Sequence, residues 1–282
     1  MRKILIPTDF SKPAFNAIKY ALELFKYDKS EVYFINAFEE DIYKDKELLK
    51  SDSLSNVLEM MRQKSSEKLS ALIEEVKYIW PNPRHTYHQV ASQHGLIDGI
   101  DILVDTVNID IIVMGTKGVT DKKSTLFGSN TIQVLRYVAS PVLAIPANYD
   151  YTQPKKIVFA TNYLIPYKRR ELKLLCEMAA PYRAEVDMIY VSKSKQLSVR
   201  QEVNRQFIED TLSKNETKFV HVLHKSVVEG INDYCSQHKA DMLVMVNSRH
   251  SFLEDILYAS TIDAVALDMQ IPFLAMQNMR RD

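Results

Sequence analysis

Residues 3–10 read KILIPTDF and residues 156–163 read KIVFATNY: a lysine, a short apolar run, then a polar corner. The echo continues downstream. VNIDIIVMGT at 107–116 returns as HKADMLVMVN at 238–247, and SPVLAIP at 140–146 returns as IPFLAMQ at 271–277. The offset is 153 for the first pair and 131 for the other two. The second copy is therefore shorter in its first part, and most of the loss falls in the polar stretch 39–65. A duplicated unit is the economical account of a chain of 282 residues, which exceeds the usual span of one core. The break falls in NYDYTQP, where Pro154 and polar residues separate two strand signals, giving domains at 1–147 and 154–282.

Within each copy strands and helices alternate. Residues 3–8 are a short apolar strand. Phe15, Ile18, Ala21, Leu22 and Phe25 then recur at helical spacing, with Ser11 or Asp9 placed to cap the helix. EVYFINAF is a second strand, rich in β-branched and aromatic residues. A long helix is expected over 48–78, with Leu54, Leu58, Met61, Leu69, Leu72 and Val76 on one face. HTYHQVA predicts a third strand, 95–107 a helix, DIIVM a fourth strand, residues from about 129 a helix, and PVLAI the last strand. Strands that are apolar almost throughout and separated by helices point to a parallel sheet covered on both faces. The fold class expected is α/β: two tandem, open, parallel five-stranded sheets of Rossmann-like type.

Three of the six glycines fall in MGTKGVTDKKSTLFGSN at 114–130. In open parallel sheets ligands settle at the C-terminal ends of the strands. Gly115 lies just past the strand DIIVM and Asp9 just past the first strand. Gly128-Ser129-Asn130 opens a helix whose N–H groups and positive dipole end suit a phosphate. Glycine lets backbone amides come close to phosphate oxygens and admits positive φ angles. The spacing is neither a Walker A loop nor the dinucleotide fingerprint. It is G-x2-G-x9-G-[ST], and an ordinary surface loop is the competing account.

Taken with KILIPTDFS at the start and SPVLAIP at the end, this glycine spacing makes the first copy resemble the universal stress protein (UspA-like) domain. The resemblance covers the whole chain as a tandem pair and carries the fold of the adenine nucleotide alpha hydrolase-like group. It implies an adenine nucleotide, ATP or else ADP or AMP, with Mg²⁺ as an optional companion. Pro7 and Asp9, with Thr8 between them, would border the adenosine, and Ala37 would lie by the adenine. Met114, Gly115 and Gly118 would carry the ribose and first phosphates, and Gly128, Ser129, Asn130 and Thr131 the distal ones. The family's usual His-Val pair is Asn36-Ala37 here. Lys117, Lys122 and Lys123 are either phosphate ligands or solvated loop lysines.

The second copy reads VNSRHSFLEDILYASTID at the corresponding place. Aligning Met114 with Val246 sets Asn247, His250 and Ser260 against the three glycines, and Asn162 replaces Asp9. Phe252, Leu253, Ile256 and Leu257, at helical spacing, are expected to fill the would-be pocket, so this copy should bind no nucleotide. Loss of the glycines between persisting strands suggests that the fold does not need them.

Catalysis would require a positioned base or an electrophile at the γ-phosphate. No Glu or His in the motif is so placed, and Asp121 reads as a solvated charge. No catalytic residue is assigned. Nucleotide binding as a regulatory ligand supporting stress tolerance is favoured over a slow ATPase and over a nucleotide-free interaction scaffold. The resemblance also implies that the last strands of the two copies, apolar and at a sheet edge, associate as a pseudo-dimer within the chain. The helix over 48–78 is a candidate surface for a further homodimer, or simply a cover helix.

Composition sets limits. The chain is 46% hydrophobic and 26% charged with no net charge; 18 basic and 20 acidic residues precede position 151, and 18 and 16 follow. That balance argues against a general binder of nucleic acid or anionic membrane. No apolar run approaches a membrane span, and MRKILIPTDF reads as a strand, not a signal peptide. Cys176 and Cys235 lack metal or CxxC spacing and suit a reducing, cytoplasmic setting. His85 and His88 stand three apart on a presumed strand, as do His221 and His224, so neither pair can chelate jointly. No metal site is expected.

Overall fold

The architecture is taken from a computed structural model, which describes residues 1–44, 53–116, 128–165, 167, 169–194, 196–212, 216–247, 253 and 270–277. In chain order the strands of the first half are β1 (Arg2–Pro7), β2 (Ser30–Ala37), β3 (His85–Ser92), β4 (Ile111–Gly115) and β5 (Val142–Ile145). Those of the second half are β6 (Lys156–Ala160), β7 (Glu185–Ser192), β8 (Thr217–Leu223), β9 (Met242–Asn247) and β10 (Phe273–Gln277). The helices are α1 (Lys12–Leu24), α2 (Glu39–Lys44), α3 (Leu54–Ile79), α4 (Leu96–Val107), α5 (Ser129–Tyr137), α6 (Arg169–Ala179), α7 (Val199–Leu212) and α8 (Val227–Gln237). Part of the long helix expected over 48–78 lies outside the described residues, as do Phe252, Ile256 and Leu257.

The strands form one ten-stranded sheet in the order β3-β2-β1-β4-β5-β10-β9-β6-β7-β8. Each half is parallel throughout, as expected. The halves join where β5 and β10 pair antiparallel, Leu143 opposite Leu274. In each half the strand order reverses beside the first strand, between β1 and β4 and between β6 and β9. A crevice opens at such a reversal because successive crossovers leave toward opposite faces. The helices obey this. Residues of α1, α3, α6 and α7 pack one face with Ile4, Ile6, Val113, Phe159 and Val244. Residues of α4, α5 and α8 pack the other with Leu5, Ile112, Met114 and Met245.

The stretch read as a mere separator is anchored. Tyr149 and Tyr151 lie edge-on to the buried Tyr20, at ring separations of 6.0 and 5.2 Å. Tyr182 of the second half donates its hydroxyl to the carbonyl oxygen of Leu24 at 2.6 Å and to that of Glu23 at 3.0 Å. On the opposite face the carbonyl of Leu135, in the last turn of α5, accepts from Asn247 Nδ2 at 3.0 Å and Gln277 Nε2 at 2.9 Å. Arg2 bridges Asp28 and Glu177. Hydrogen bonds of this kind contribute about 1 kcal/mol each when they replace water, so the seam is specified by polar geometry as well as by apolar burial.

Candidate functional site

The corner after β1 is built by its own side chains. Thr8 N donates to Ile35 O, Phe10 N to Thr8 Oγ1 at 3.0 Å, and Ser11 N to Asp9 Oδ1 at 3.0 Å. Ser11, not Asp9, caps α1, its Oγ accepting from Ala14 N. Phe10 takes a left-handed backbone, φ 62°, uncommon for an aromatic residue and held here by these bonds. Asn36 joins the corner from β2. Its Nδ2 donates to Thr8 O at 2.8 Å, and its Oδ1 accepts from Ser65 Oγ of α3 at 2.8 Å. Both ends of that buried amide are therefore occupied. Sequence reasoning noted Asn36 only as a departure from a family pattern and missed this network, whose partner Ser65 carries no local signal.

At the end of β4, Met114 is buried and Gly115 packs hard against α1. A Cβ there would lie 2.9 Å from Pro13 O and 3.1 Å from Pro13 C. Gly115 thus has a steric reason that does not involve a ligand. The positive-φ argument fails for the described glycines: none has positive φ, and Gly128 sits at φ −65°. Gly118, with Lys117, Asp121, Lys122 and Lys123, lies outside the described residues.

Gly128 N donates to Thr116 O, bringing the start of α5 to the end of β4. Among the described residues no side chain caps α5 at Gly128. Ser129 and Asn130 are exposed. Thr131 behaves differently: it is buried, and its Oγ1 donates to Gly115 O at 3.0 Å. Its hydroxyl ties the helix to the strand and is not open to a phosphate, so only its backbone could serve there. Pro7, Thr8, Asp9, Ala37, Gly115 and the start of α5 are thus ranged along one sheet edge, over the strand-order reversal.

The second half offers an internal comparison, and its register corrects the alignment by one residue. Ile4 pairs with Ile111 and Ile157 with Met242. Gly115 therefore corresponds to Val246, and Thr116 to Asn247. The corner itself is preserved. Tyr163 N donates to Thr161 Oγ1, Leu164 N to Asn162 Oδ1, and Tyr163 has φ 55°. Over it sits a clamp with no sequence signal, Gln201 Nε2 to Asn162 O at 2.8 Å and Asn204 Nδ2 to Tyr163 O at 2.6 Å. Leu253 is buried in the core; the rest of the predicted filling segment lies outside the described residues, as do His250 and Ser260.

Among the described residues no cluster of three or more His, Cys, Asp or Glu side chains is arranged for a metal, and no helix is long and apolar enough to cross a membrane. Both cysteines are free thiols, with burial pushing Cys235 up to about 12.

The model of the universal stress protein family matches residues 1–146 and again 154–277. The universal stress protein MJ0577 of Methanocaldococcus jannaschii is 28% identical over 157 residues, covering 51% of this chain and 94% of the relative. A second from that organism, MJ0531, is 27% identical over 149 residues, covering 51% and 81%. The crystal structure of a universal stress protein from Archaeoglobus fulgidus is similar over 98% of both chains, with a TM-score of 0.71 at 16% identity. At that identity the likeness is one of fold.

Proposed function

The chain belongs to the universal stress protein family, and from that premise we propose that its first half binds one adenine nucleotide, ATP foremost, as a regulatory ligand, while its second half binds none. The observation that carries the reading is the start of α5. Its N-cap is a glycine, which has no side chain to offer, it opens with two exposed residues, Ser129 and Asn130, and it is tied to the end of β4 by Gly128 and Thr131. Backbone N–H groups at a helix start, with the dipole behind them, favour an anion of phosphate geometry. Ala37 and the Thr8–Asp9 corner stand on the same edge, as an adenosine moiety would require. The division into a binding domain at 1–147 and a silent one at 154–282 belongs to this proposal. So do the roles of Pro7, Thr8, Asp9, Ala37, Met114, Gly115, Gly118 and Gly128–Thr131.

The contrast with the second half supports the asymmetry. There Val246 stands at the strand end, and Gln201 and Asn204 close over the corner. Calorimetric titration of the full chain with ATP tests both parts. One site per chain is expected; two would sink the claim about the second half, and none would sink the proposal. Turnover is not part of it. A multi-turnover hydrolysis assay above background would show that the ligand is also a substrate.

A further inference from the structure

We infer that the second half carries a site of its own, for a planar aromatic ring bearing an O–H or N–H donor. A cavity of about 280 Å³ lies between α7 and strands β7 and β8, lined by Tyr163, Tyr190, Phe219, His221, Glu202 and Arg205. Tyr163 and Tyr190 have ring centroids 5.7 Å apart, and Tyr190 stacks on His221 at 5.2 Å with 25° between planes. Arg205 lies over the Phe219 ring, Cζ 5.6 Å from its centroid, and its Nε meets Glu202 at 3.2 Å. His221 is fixed through Nε2 to Ser192 Oγ at 2.9 Å.

The first half shows what the fold needs at this place. Val32 pairs with Tyr87 and Val186 with Thr217, so Tyr190, Phe219 and His221 correspond to Asn36, Gln89 and Ala91. Those positions are polar or small, and α3 covers them, Ser65 bonding Asn36 and Ser70 bonding Gln89. The covering helix has 26 residues in the first half and 14 in the second. The first half also has recesses, of about 190 Å³ beside Asn36 and about 300 Å³ beside Phe10, so what sets the second half apart is the lining: three rings in place of Asn, Gln and Ala under a shortened cover, which sheet packing does not demand.

The recess is not the silent counterpart of the nucleotide crevice. Val191, which corresponds to Ala37, packs into the core on the other face of the sheet from Tyr190. The lining selects the ligand. Aromatic walls favour a flat ring in offset or edge contact. A guanidinium plane favours an electron-rich ring. The Glu202 carboxylate, more than half exposed, can accept from a donor on the ring's rim.

The full chain is titrated with 2-naphthol and with decahydro-2-naphthol, which has the same carbon skeleton and hydroxyl but no planar ring, using saturation-transfer NMR. Binding of 2-naphthol at one per chain is expected, with no signal from the saturated compound and no competition by ATP. Arg205→Met keeps the buried stem but removes the guanidinium plane, and should weaken 2-naphthol about tenfold. Phe219→Leu should do the same. Equal binding of both compounds, displacement by ATP, no binding of 2-naphthol, or unchanged affinity in both variants would overturn the inference.

Discussion

Two corners of this molecule, Thr8–Ser11 and Thr161–Leu164, have the same hydrogen bonds and each a left-handed aromatic residue, Phe10 and Tyr163, yet only the first is proposed to face a nucleotide. Asp9 and Asn162 each supply one oxygen to a backbone N–H two residues on, so an amide serves the turn as well as a carboxylate. The turn therefore explains an acceptor at position 9 but not its negative charge. Glycine teaches the reverse lesson. Gly99 and Gly230, kept in both copies, are packing glycines: a Cβ would lie 2.8 Å from Ser92 Oγ at the first and 2.6 Å from Val191 Cγ1 at the second. Gly115, lost from the second copy, is a packing glycine too. Because Pro13 already accounts for it, its loss from the second copy is weaker evidence for a ligand than the repeat alone suggested.

The comparison can be broken or sharpened by substitution. Gly115→Val installs the second copy's residue against Pro13. It should destabilise the chain by about 3 kcal/mol in denaturant melts and abolish ATP binding; a fully stable variant would refute the steric account. Thr131→Val removes the buried hydroxyl from Gly115 O and should cost about 1.5 kcal/mol. A much smaller loss would return that hydroxyl to the pool of candidate phosphate ligands. Asn130→Asp separates fold from ligand by sign. The added charge near a helix start should leave stability unchanged or raise it by about 0.5 kcal/mol, while calorimetry should show ATP weakened about tenfold through repulsion. Parallel changes in both quantities would argue against a phosphate there.

The smallest effect expected is a difference in acid response. Burial pushes the His85 imidazole in β3 below its ordinary value. The folded state thus resists a proton that the unfolded chain accepts, and stability falls as pH drops below about 6.5. In the second half, hydrogen bonds from Lys218 and Lys156 hold the Glu185 carboxylate below its ordinary range. That contribution is present above about pH 4.5 and is lost only as pH falls further, through the folded value. Hydrogen exchange at pH 5.5 against pH 7.5 should loosen β3 before β7; simultaneous loosening would contradict these environments.

The strands and helices were legible because the apolar period changes with each element, and the duplication supplied a second sample of every strand. The parallel sheet followed from apolar strands separated by helices, and the pairing of the last strands from the family resemblance. Register was less accessible. A one-residue slip set Asn247 against Gly115, at odds with the 131-residue offset of the repeat itself, and the pairing of Ile4 with Ile111 and of Ile157 with Met242 upholds that offset. The side chains that finish the site were not legible at all. Ser65, Gln201 and Asn204 are ordinary polar residues on amphipathic helices, and Thr131 looks the same whether its hydroxyl turns inward or outward. Their partners are remote in sequence, so no local pattern announces them.

The antiparallel seam between β5 and β10 also sets how the molecule can diverge. In an assembly of two identical chains every substitution appears on both sides of such a seam at once. Here the sides are encoded separately, and the connecting segment keeps them together at any dilution, because their meeting is intramolecular. Val246 and the amides of Asn247 and Gln277 could therefore arise on one side while Gly115 and the glycine-capped helix start persisted on the other. The fused chain is free to be lopsided, with specialisation at one end needing no matching concession at its mirror position.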